Sequence, residues 1–273
     1  TLYINDLTGC AELVVDPKNP QKMIAAMWEF KRDPWFFNSG GKGSGIYVSF
    51  DGGENWERRT EKDGLPEGNL GRCGLAISPA NPNYVYALVE AKENALYRST
   101  DGGFKFQKMA TKGMGDRPFY YAEIFCDPSD ELRLYTIFTT INKSEDGGKT
   151  FETFVNWDIH PDHHAFWISP TDPNYIIDGN DGGLNITRDR GKTWHFAENL
   201  PVGQFYHINI DGDTPYNIYG GLQDNGSWVG PSSVWKSGGI RNSDWREVLF
   251  GDGFDIMPRP SDNRFLYAAS QGG

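Results

Sequence analysis

The chain repeats one short segment four times, as SFDGGENW (49–56), STDGGFKF (99–106), SEDGGKTF (144–151) and TRDRGKTW (187–194). The four aspartates of these segments follow one another at intervals of 50, 45 and 43 residues; they are Asp51, Asp101, Asp146 and Asp189. An aspartate beside glycine suits a tight turn, because its carboxylate accepts turn amides and glycine supplies a positive φ. The pattern predicts a structural role for the four aspartates within a repeating fold.

A second marker recurs in step with the first, as DPKNP (16–20), SPANP (78–82), DPSDE (127–131) and SPTDP (169–173), with weaker versions at DGDTP (211–215) and RPSDN (259–263). A β-rich run follows each one. The two markers together leave room for four short antiparallel strands in each repeat. Repeated four-stranded sheets of this period are typical of an all-β β-propeller, whose blades are such sheets.

The spacing of the markers predicts about five and a half blades in a single partial β-propeller spanning 1–273. The expected blades cover 11–60, 72–110, 120–156, 163–197, 204–250 and, incompletely, 252–273. Because the chain begins at Thr1 and stops at SQGG directly after a strand-like run, we expect it to be a piece of a longer protein. Sequence outside this chain would then complete the ring.

Composition excludes several classes of protein. The formal net charge is -11 and there is no cluster of Lys or Arg, which argues against a nucleic-acid partner. With 33 Gly and 16 Pro, long helices are not expected, and no apolar run approaches the ~18 residues of a membrane span. The three cysteines, Cys10, Cys73 and Cys126, have neither disulfide-framework nor metal-site spacing. We expect neither a cofactor nor a bound metal.

Strand direction predicts where binding occurs. In a four-stranded meander both repeated turns fall on one rim of the blade, and the irregular connections fall on the other rim. Loops held on a rigid scaffold usually carry binding residues, so we expect a ligand at the second rim. The predicted ligand-binding residues lie where innermost strands begin or in adjacent loops; they are Arg72, Tyr120, Tyr121, Glu123, His163, His164, Gln204, Tyr206, Gln223 and Asn225.

Carboxylates on the same rim are candidates for catalysis. Asp181, Asp224 and Asp252 could supply the acid and base of glycoside cleavage, for which two carboxyl groups lie ~5 to 10 Å apart. The alternative role for an aspartate beside glycine is to hold loop amides. The histidines of HPDHH (160–164) could contribute metal ligands with Asp181, but hydrogen-bonded channel histidines are the favoured interpretation.

Two segments predict further contact surfaces. DPWFFN (33–38) places three aromatic residues in a row, so part of this loop should form an exposed apolar patch suited to sugar stacking or protein docking. The fifth repeat has no Asp-Gly-Gly segment and carries the insertion PSSVWKSGGIRNSDW (231–245), which predicts a long loop at the outer edge of that blade.

The Asp-Gly-Gly segments resemble the Asp-box, or BNR repeat. More broadly, the chain resembles the sortilin-like (Vps10-type) propeller family of large secreted bacterial proteins that are often labelled glycosyl hydrolases. Matching segments include GLPEGNLGRCGLAISPANPNYVYALVEA (64–91), HPDHHAFWISPTDPNYIIDGNDGGL (160–184) and YGGLQDNGSWVGPS (219–232). The resemblance implies a longer propeller with additional domains and a secreted or cell-envelope location.

The resemblance leaves the activity open. Sialidases share Asp-boxes but also carry a Phe or Tyr-Arg-Ile-Pro motif, and no such motif occurs here. Xyloglucanases of this type place paired aspartates in a cleft between two propellers, so a partner for Asp181 or Asp224 would lie outside this chain. We therefore expect a binding or scaffold module for a glycan, peptide or partner protein, attached to the remainder of a larger chain or to an envelope complex. A glycoside hydrolase is the alternative, and an assembly factor like those of photosystems is a third.

Overall fold

The computed structural model describes residues 1–115, 117–121, 123–155, 158–200 and 202–273. These residues form 23 β-strands and two short 3-10 turns, Glu61–Asp63 and Asn242–Asp244, with no α-helix among them. No helix of the described residues is long and apolar enough to cross a membrane. Position 156, the predicted end of the third blade, lies outside the described residues.

The chain divides into two compact units, Thr1–Ala197 and Glu198–Gly273. The first unit contains four antiparallel sheets. Its strands are β1 (Thr8–Asp16), β2 (Asn19–Asp33), β3 (Phe36–Ser39), β4 (Gly45–Ser49) and β5 (Glu57–Arg59); β6 (Cys73–Ile77), β7 (Val85–Val89), β8 (Ala95–Ser99) and β9 (Gln107–Ala110); β10 (Glu123–Cys126), β11 (Leu134–Ile137), β12 (Ile141–Ser144) and β13 (Glu152–Thr153); β14 (His163–Ile168), β15 (Ile176–Asn180), β16 (Gly183–Thr187) and β17 (His195–Phe196).

The second unit contains two antiparallel sheets. A four-stranded sheet is followed by a two-stranded one; the strands are β18 (Phe205–Ile210), β19 (Asn217–Leu222), β20 (Ser227–Pro231) and β21 (Arg246–Leu249), then β22 (Gly253–Pro258) and β23 (Leu266–Ser270). β22 packs against β18 and β19.

Neighbouring strands in each sheet follow one another along the chain, so the sheets are meanders, and β3 is an additional strand that pairs with β2. In the first unit, successive innermost strands contact one another, β1 with β6, β6 with β10 and β10 with β14. The predicted all-β fold of propeller blades, with five complete sheets and part of a sixth, is confirmed. The placement of all blades in one ring stays a prediction.

The hydrophobic core of the first unit lies between consecutive sheets. Ile24 and Ile46 of the first sheet pack with Leu75 and Val85 of the second, and Tyr86 of the second packs with residues of the third. Strands buried on both faces place apolar side chains on both sides, which explains the continuous apolar runs of β6 and β7. Each large buried side chain contributes roughly 1.5 to 3 kcal/mol to folding.

The closing aromatic residue of an Asp-box segment fills the seam between its own sheet and the preceding one. Phe106 belongs to the core between the first and second sheets. Phe151 packs between the second and third sheets, and Trp194 packs between the third and fourth. Phe106 lies directly before strand β9, which begins at Gln107. The aromatic side chain therefore packs from the turn itself.

The segment around DPWFFN is partly strand, whereas the sequence predicted a loop. β2 runs through Asp33, and its end pairs with β3 in a hairpin that aligns Phe30 with Ser39 and Asp33 with Phe36. The aromatic content of this stretch favours strand, and Pro34 lies in the connection, where it interrupts no ladder bond. The predicted exposed apolar patch is present, since Trp35 at the tip is 85% exposed.

Candidate functional site

The Asp-box turns use their polar atoms internally. Ser49 Oγ donates to Asp51 Oδ1 at 2.8 Å and accepts the Gly53 amide at 2.9 Å. Hydrogen bonds from the Asn55 backbone amide and, second in size, from the Asn55 side chain lower the pKa of Asp51 to about 2. The same hydroxyl-to-carboxylate bond recurs in the other three turns, at Asp101, Asp146 and Asp189.

The opposite rim of the first unit is organised around Arg72. Its Nη2 lies 2.8 Å from Glu123 Oε1, and its Nη1 donates to the carbonyl of Tyr120 at 2.8 Å. The guanidinium also lies over the ring of Trp28, 5.9 Å from its centroid. The Arg72 backbone amide donates to Glu90 Oε2 at 2.7 Å. One arginine of the second sheet thus contacts the first and third sheets as well.

A group of rings adjoins this ion pair. Tyr121 stacks on His164 with centroids 5.4 Å apart and planes 23° apart, and Tyr120 meets the same imidazole edge-on at 5.8 Å. Arg117 lies over both tyrosines, 5.6 Å from the Tyr120 centroid and 5.3 Å from that of Tyr121. Tyr120 and His164 are exposed whereas Tyr121 is buried, so the first two can meet a ligand.

Asp162 connects the rings to the neighbouring loop. The Tyr121 hydroxyl donates to Asp162 Oδ1 at 2.6 Å, and the carbonyl of Asp162 accepts the Asp181 amide. Burial, and then the Asp162 carboxylate, raise the pKa of Tyr121 above its ordinary value, so this hydroxyl remains a donor. Asp181 Oδ1 lies 3.2 Å from His164 Nε2.

Six predicted site residues therefore come together in the first unit, joined by two residues that were not predicted. We call this group the rim cluster; it comprises Arg72, Arg117, Tyr120, Tyr121, Glu123, Asp162, His164 and Asp181.

His163 was predicted to join this site, but the structure places its side chain elsewhere. The register of β14 shifts between His163 and Ala165, and His163 is 1% exposed beside its exposed neighbour His164. Its Nδ1 lies 2.9 Å from both oxygens of Asp178, which is fully buried and also accepts from Asn180. The pair is an internal support of β14 and β15.

The remaining predicted residues lie in the second unit. Gln204 Nε2 donates to Gln223 Oε1 at 2.8 Å, and the Gln223 amide donates back to the Gln204 carbonyl. The Asp224 amide donates to Asp252 Oδ1 at 3.0 Å, which brings two candidate catalytic aspartates side by side. Asp224 has a φ of 58°.

Aromatic and amide groups complete this second set. Tyr206 stacks on Phe254 with centroids 4.9 Å apart and planes 14° apart. Burial, with the charges of Asp252 and Asp224, raises the pKa of Tyr206. Asn225 Nδ2 donates to the Gln223 carbonyl, and its own carbonyl accepts the Trp228 indole at 2.7 Å.

The part of the chain that the structure describes contains no set of side chains suited to bind a metal ion. No group of three or more His, Cys, Asp or Glu side chains there is arranged to hold a metal ion. Of the HPDHH histidines, His160 Nδ1 lies 3.0 Å from the Pro161 carbonyl, and His163 pairs with Asp178. The rim cluster offers hydrogen-bonding edges and ring faces instead.

Sequence reasoning missed Asp162, Arg117 and Glu90. Asp162 adopts a φ of 61°, a left-handed conformation that only a few residue types tolerate, and this conformation sets its carboxylate under Tyr121. The position of Asp162 in the HPDHH motif was a signal for its role, but the predicted site residues of that motif were histidines. Glu90 accepts from Ser39 Oγ at 2.6 Å as well as from the Arg72 amide.

Glu12 was also missed, although it lies beside the rim cluster. Its Oε2 accepts the Leu75 amide at 2.6 Å, and its side chain borders an apolar cavity of about 440 Å³. Burial raises the pKa of Glu12 to about 7; the Leu75 amide and Arg72 oppose the rise, whereas Glu123 adds to it.

Comparison with known proteins gives one family match and several relatives. The BNR/Asp-box repeat matches residues 47–58. The xyloglucanase Xgh74A of Acetivibrio thermocellus is 26% identical over 269 residues, which are 95% of this chain and 28% of that protein. A xyloglucanase of Hypocrea jecorina is 24% identical over 262 residues, 91% of this chain and 27% of that protein.

A solved structure of an ancestral GH74 enzyme is similar with a TM-score of 0.49 and 14% identity, covering 95% of this chain and 38% of that one. The chain spans about 28% of the length of the curated xyloglucanase Xgh74A. The predicted BNR/Asp-box repeat is confirmed by the family match, and the sortilin-like part of the resemblance stays a prediction. The chain therefore contains a BNR/Asp-box repeat at residues 47–58, forms four-stranded sheets of the propeller-blade type, and is similar in sequence to xyloglucanases.

Proposed function

We propose that the protein is a glycan-binding propeller module that holds its ligand at the rim cluster. One observation carries this proposal: exposed Tyr120 and His164 lie in ring contact beside the Arg72–Glu123 ion pair and Asp181. Aromatic faces with a few placed polar groups are the usual make-up of a small-ligand site. The xyloglucanase relatives favour a glycan over a peptide as the ligand.

Titration of xyloglucan, of cello-oligosaccharides and of a peptide panel into the intact protein tests the proposal. Tyr120→Ala and His164→Ala should each weaken glycan binding about tenfold, which corresponds to about 1.4 kcal/mol. Trp167→Ala is a matched control, because Trp167 is an exposed aromatic residue of the same strand as His164 and contacts Tyr175 instead. Glycan binding that is unchanged in both rim variants would contradict the proposal.

A glycoside hydrolase is the second candidate function, favoured by the contact between Asp224 and Asp252 and by the activity of the relatives. Two carboxylates that act as acid and base, or as acid and nucleophile, are the usual requirement for this reaction. Release of reducing ends from xyloglucan, lost in Asp224→Asn, Asp252→Asn or Asp181→Asn, would support it. No turnover across a polysaccharide panel would argue for binding alone.

We also propose a secreted or cell-envelope location, because a polysaccharide ligand is met outside the cytoplasm. The remainder of a larger chain or an envelope complex is the proposed structural partner. Fractionation of the source cells, followed by immunodetection of the protein, would test the location, and recovery in the cytosolic fraction would contradict it.

A further inference from the structure

The β2–β3 hairpin carries an aromatic face that adjoins the rim cluster. Trp28 and Phe30 lie two residues apart on β2 and share one face of the strand. Their ring centroids are 4.5 Å apart, and Phe37 of β3 meets Phe30 at 5.6 Å. Phe36, the neighbour of Phe37, lies on the other face of the hairpin by strand alternation.

This aromatic face continues into the loop that bears the rim tyrosines. Phe37 contacts Phe119 with centroids 5.0 Å apart, and Phe119 directly precedes Tyr120 in the chain. Phe30, Phe37 and Phe119 are 37%, 43% and 36% exposed, so each ring is held by its neighbours on one side and open on another. We call these three residues the aromatic track.

Polar bonds fix the base of the hairpin to the rim cluster. Trp28 Nε1 donates to Ser39 Oγ at 3.0 Å, and Ser39 Oγ donates to Glu90 Oε2 at 2.6 Å. The same carboxylate oxygen accepts the Arg72 amide, and the Arg72 guanidinium lies over Trp28. These bonds therefore connect the base of the hairpin, from which the aromatic track extends, to the arginine that contacts Tyr120.

We propose that the aromatic track is a stacking surface for an extended neutral β-glucan chain, which continues from the rim cluster over Phe119 and Phe37. This inference rests on the proposed function and specifies its ligand as a chain of several sugar units. A pyranose ring presents an apolar C–H face with hydroxyls at its edge, which suits ring faces bordered by polar groups. The net charge of -11 disfavours an anionic chain.

The test compares ligands of different length. Cellobiose, cellohexaose and xyloglucan are titrated into the intact protein and into Phe37→Ala, Phe37→Leu and Phe119→Ala. We expect cellohexaose and xyloglucan to bind about 5- to 10-fold more weakly to all three variants, whereas cellobiose binding changes less than about twofold. Phe37→Leu keeps an apolar side chain, so its loss of affinity separates ring stacking from collapse of the hairpin.

Phe36→Ala is the matched control, because Phe36 is 48% exposed on the same strand but faces away from the track. Equal losses in Phe36→Ala and Phe37→Ala, or no length dependence, would overturn the inference while leaving the rim cluster as a glycan site. Absence of glycan binding by the unchanged protein would overturn the proposed function. A change of oligomeric state in Phe37→Ala, measured by sedimentation, would assign the track to self-association and overturn the inference.

Discussion

The two rims of the first unit use the same kinds of side chain in opposite ways. In the Asp-box turns, each carboxylate accepts from its own turn hydroxyl and amides, as Asp51 does from Ser49 and Asn55. On the other rim, Arg72 contacts Glu123 of the next sheet, His164 stacks on Tyr121 of the preceding one, and both side chains leave part of their surface in solvent. The Asp-box turns thus satisfy their polar groups within one short segment, whereas the rim cluster joins partly exposed groups of different sheets.

The neighbouring histidines give the largest expected effect. His163→Ala removes the donor to the buried carboxylate of Asp178, which should cost about 3 to 5 kcal/mol. His164→Ala removes an exposed side-chain contact with Asp181 and should cost less than about 1 kcal/mol. Denaturant unfolding measures both values. Similar losses of unfolding free energy in the two variants would contradict the assignment of His163 to the interior and of His164 to the ligand-facing surface.

Glu12 gives the next largest effect, and it depends on pH. Because burial raises its folded pKa to about 7, above the ordinary value of 4.5, the folded protein binds more protons than the unfolded chain between these values. Stability from this group is therefore full below about pH 4.5 and is lost as pH rises toward 7. Glu12→Gln should be more stable than the parent protein at pH 8 by on the order of 2 kcal/mol, and nearly equal to it at pH 4.

Thermal unfolding at the two pH values would measure this difference. A constant difference across the pH range would show that Glu12 contributes by packing alone. Glu57→Gln is a suitable control, because Glu57 is an exposed glutamate of β5.

The Asp-box turns give an intermediate effect. Asp146→Ala removes bonds from Ser144, Lys149 and Thr150 and should cost about 1 to 2 kcal/mol. These bonds lower the folded pKa of Asp146 to about 2 against its burial, so their contribution is present above about pH 4 and is lost as pH falls toward 2. Chemical unfolding at pH 7 and pH 2.5 should show the cost shrinking. Glycan affinity should be unchanged, and an altered affinity would contradict the assignment of the two rims.

The smallest effect is expected at Tyr121. Tyr121→Phe keeps the stack on His164 and removes only the hydroxyl bond to Asp162, a loss of about 1 kcal/mol. Glycan affinity should fall about two- to threefold, because the His164 ring loses part of its support. Calorimetric titration measures the change. A loss as large as that of His164→Ala would mean that the hydroxyl itself meets the ligand.

The fold was predictable because its signals are local. Each Asp-Gly-Gly turn, and the aromatic residue that closes it, lies within eight residues, so the periodicity of the sheets was visible in the chain. The β2–β3 hairpin was not predicted, because the whole DPWFFN segment was interpreted as a loop. Pairing between β2 and β3 depends on side-chain packing, which no short pattern encodes.

The candidate site was predictable in position more than in detail. Strand direction selected the rim that contains Arg72, Tyr121 and His164. It did not separate His163 from His164, because the identity of the outward face depends on strand register. The left-handed backbone conformation of Asp162 could not be predicted either, since most aspartates do not adopt a positive φ.

Arg72 has a consequence for the cooperativity of unfolding. A ligand at the rim would touch a side chain that already bridges three consecutive sheets, through Trp28, its own backbone and Glu123. If the three sheets unfolded one at a time, the bound ligand would have to dissociate before the first sheet could unfold. Ligand binding would therefore protect the backbone amides of all three sheets from hydrogen exchange together, including amides far from the bound molecule.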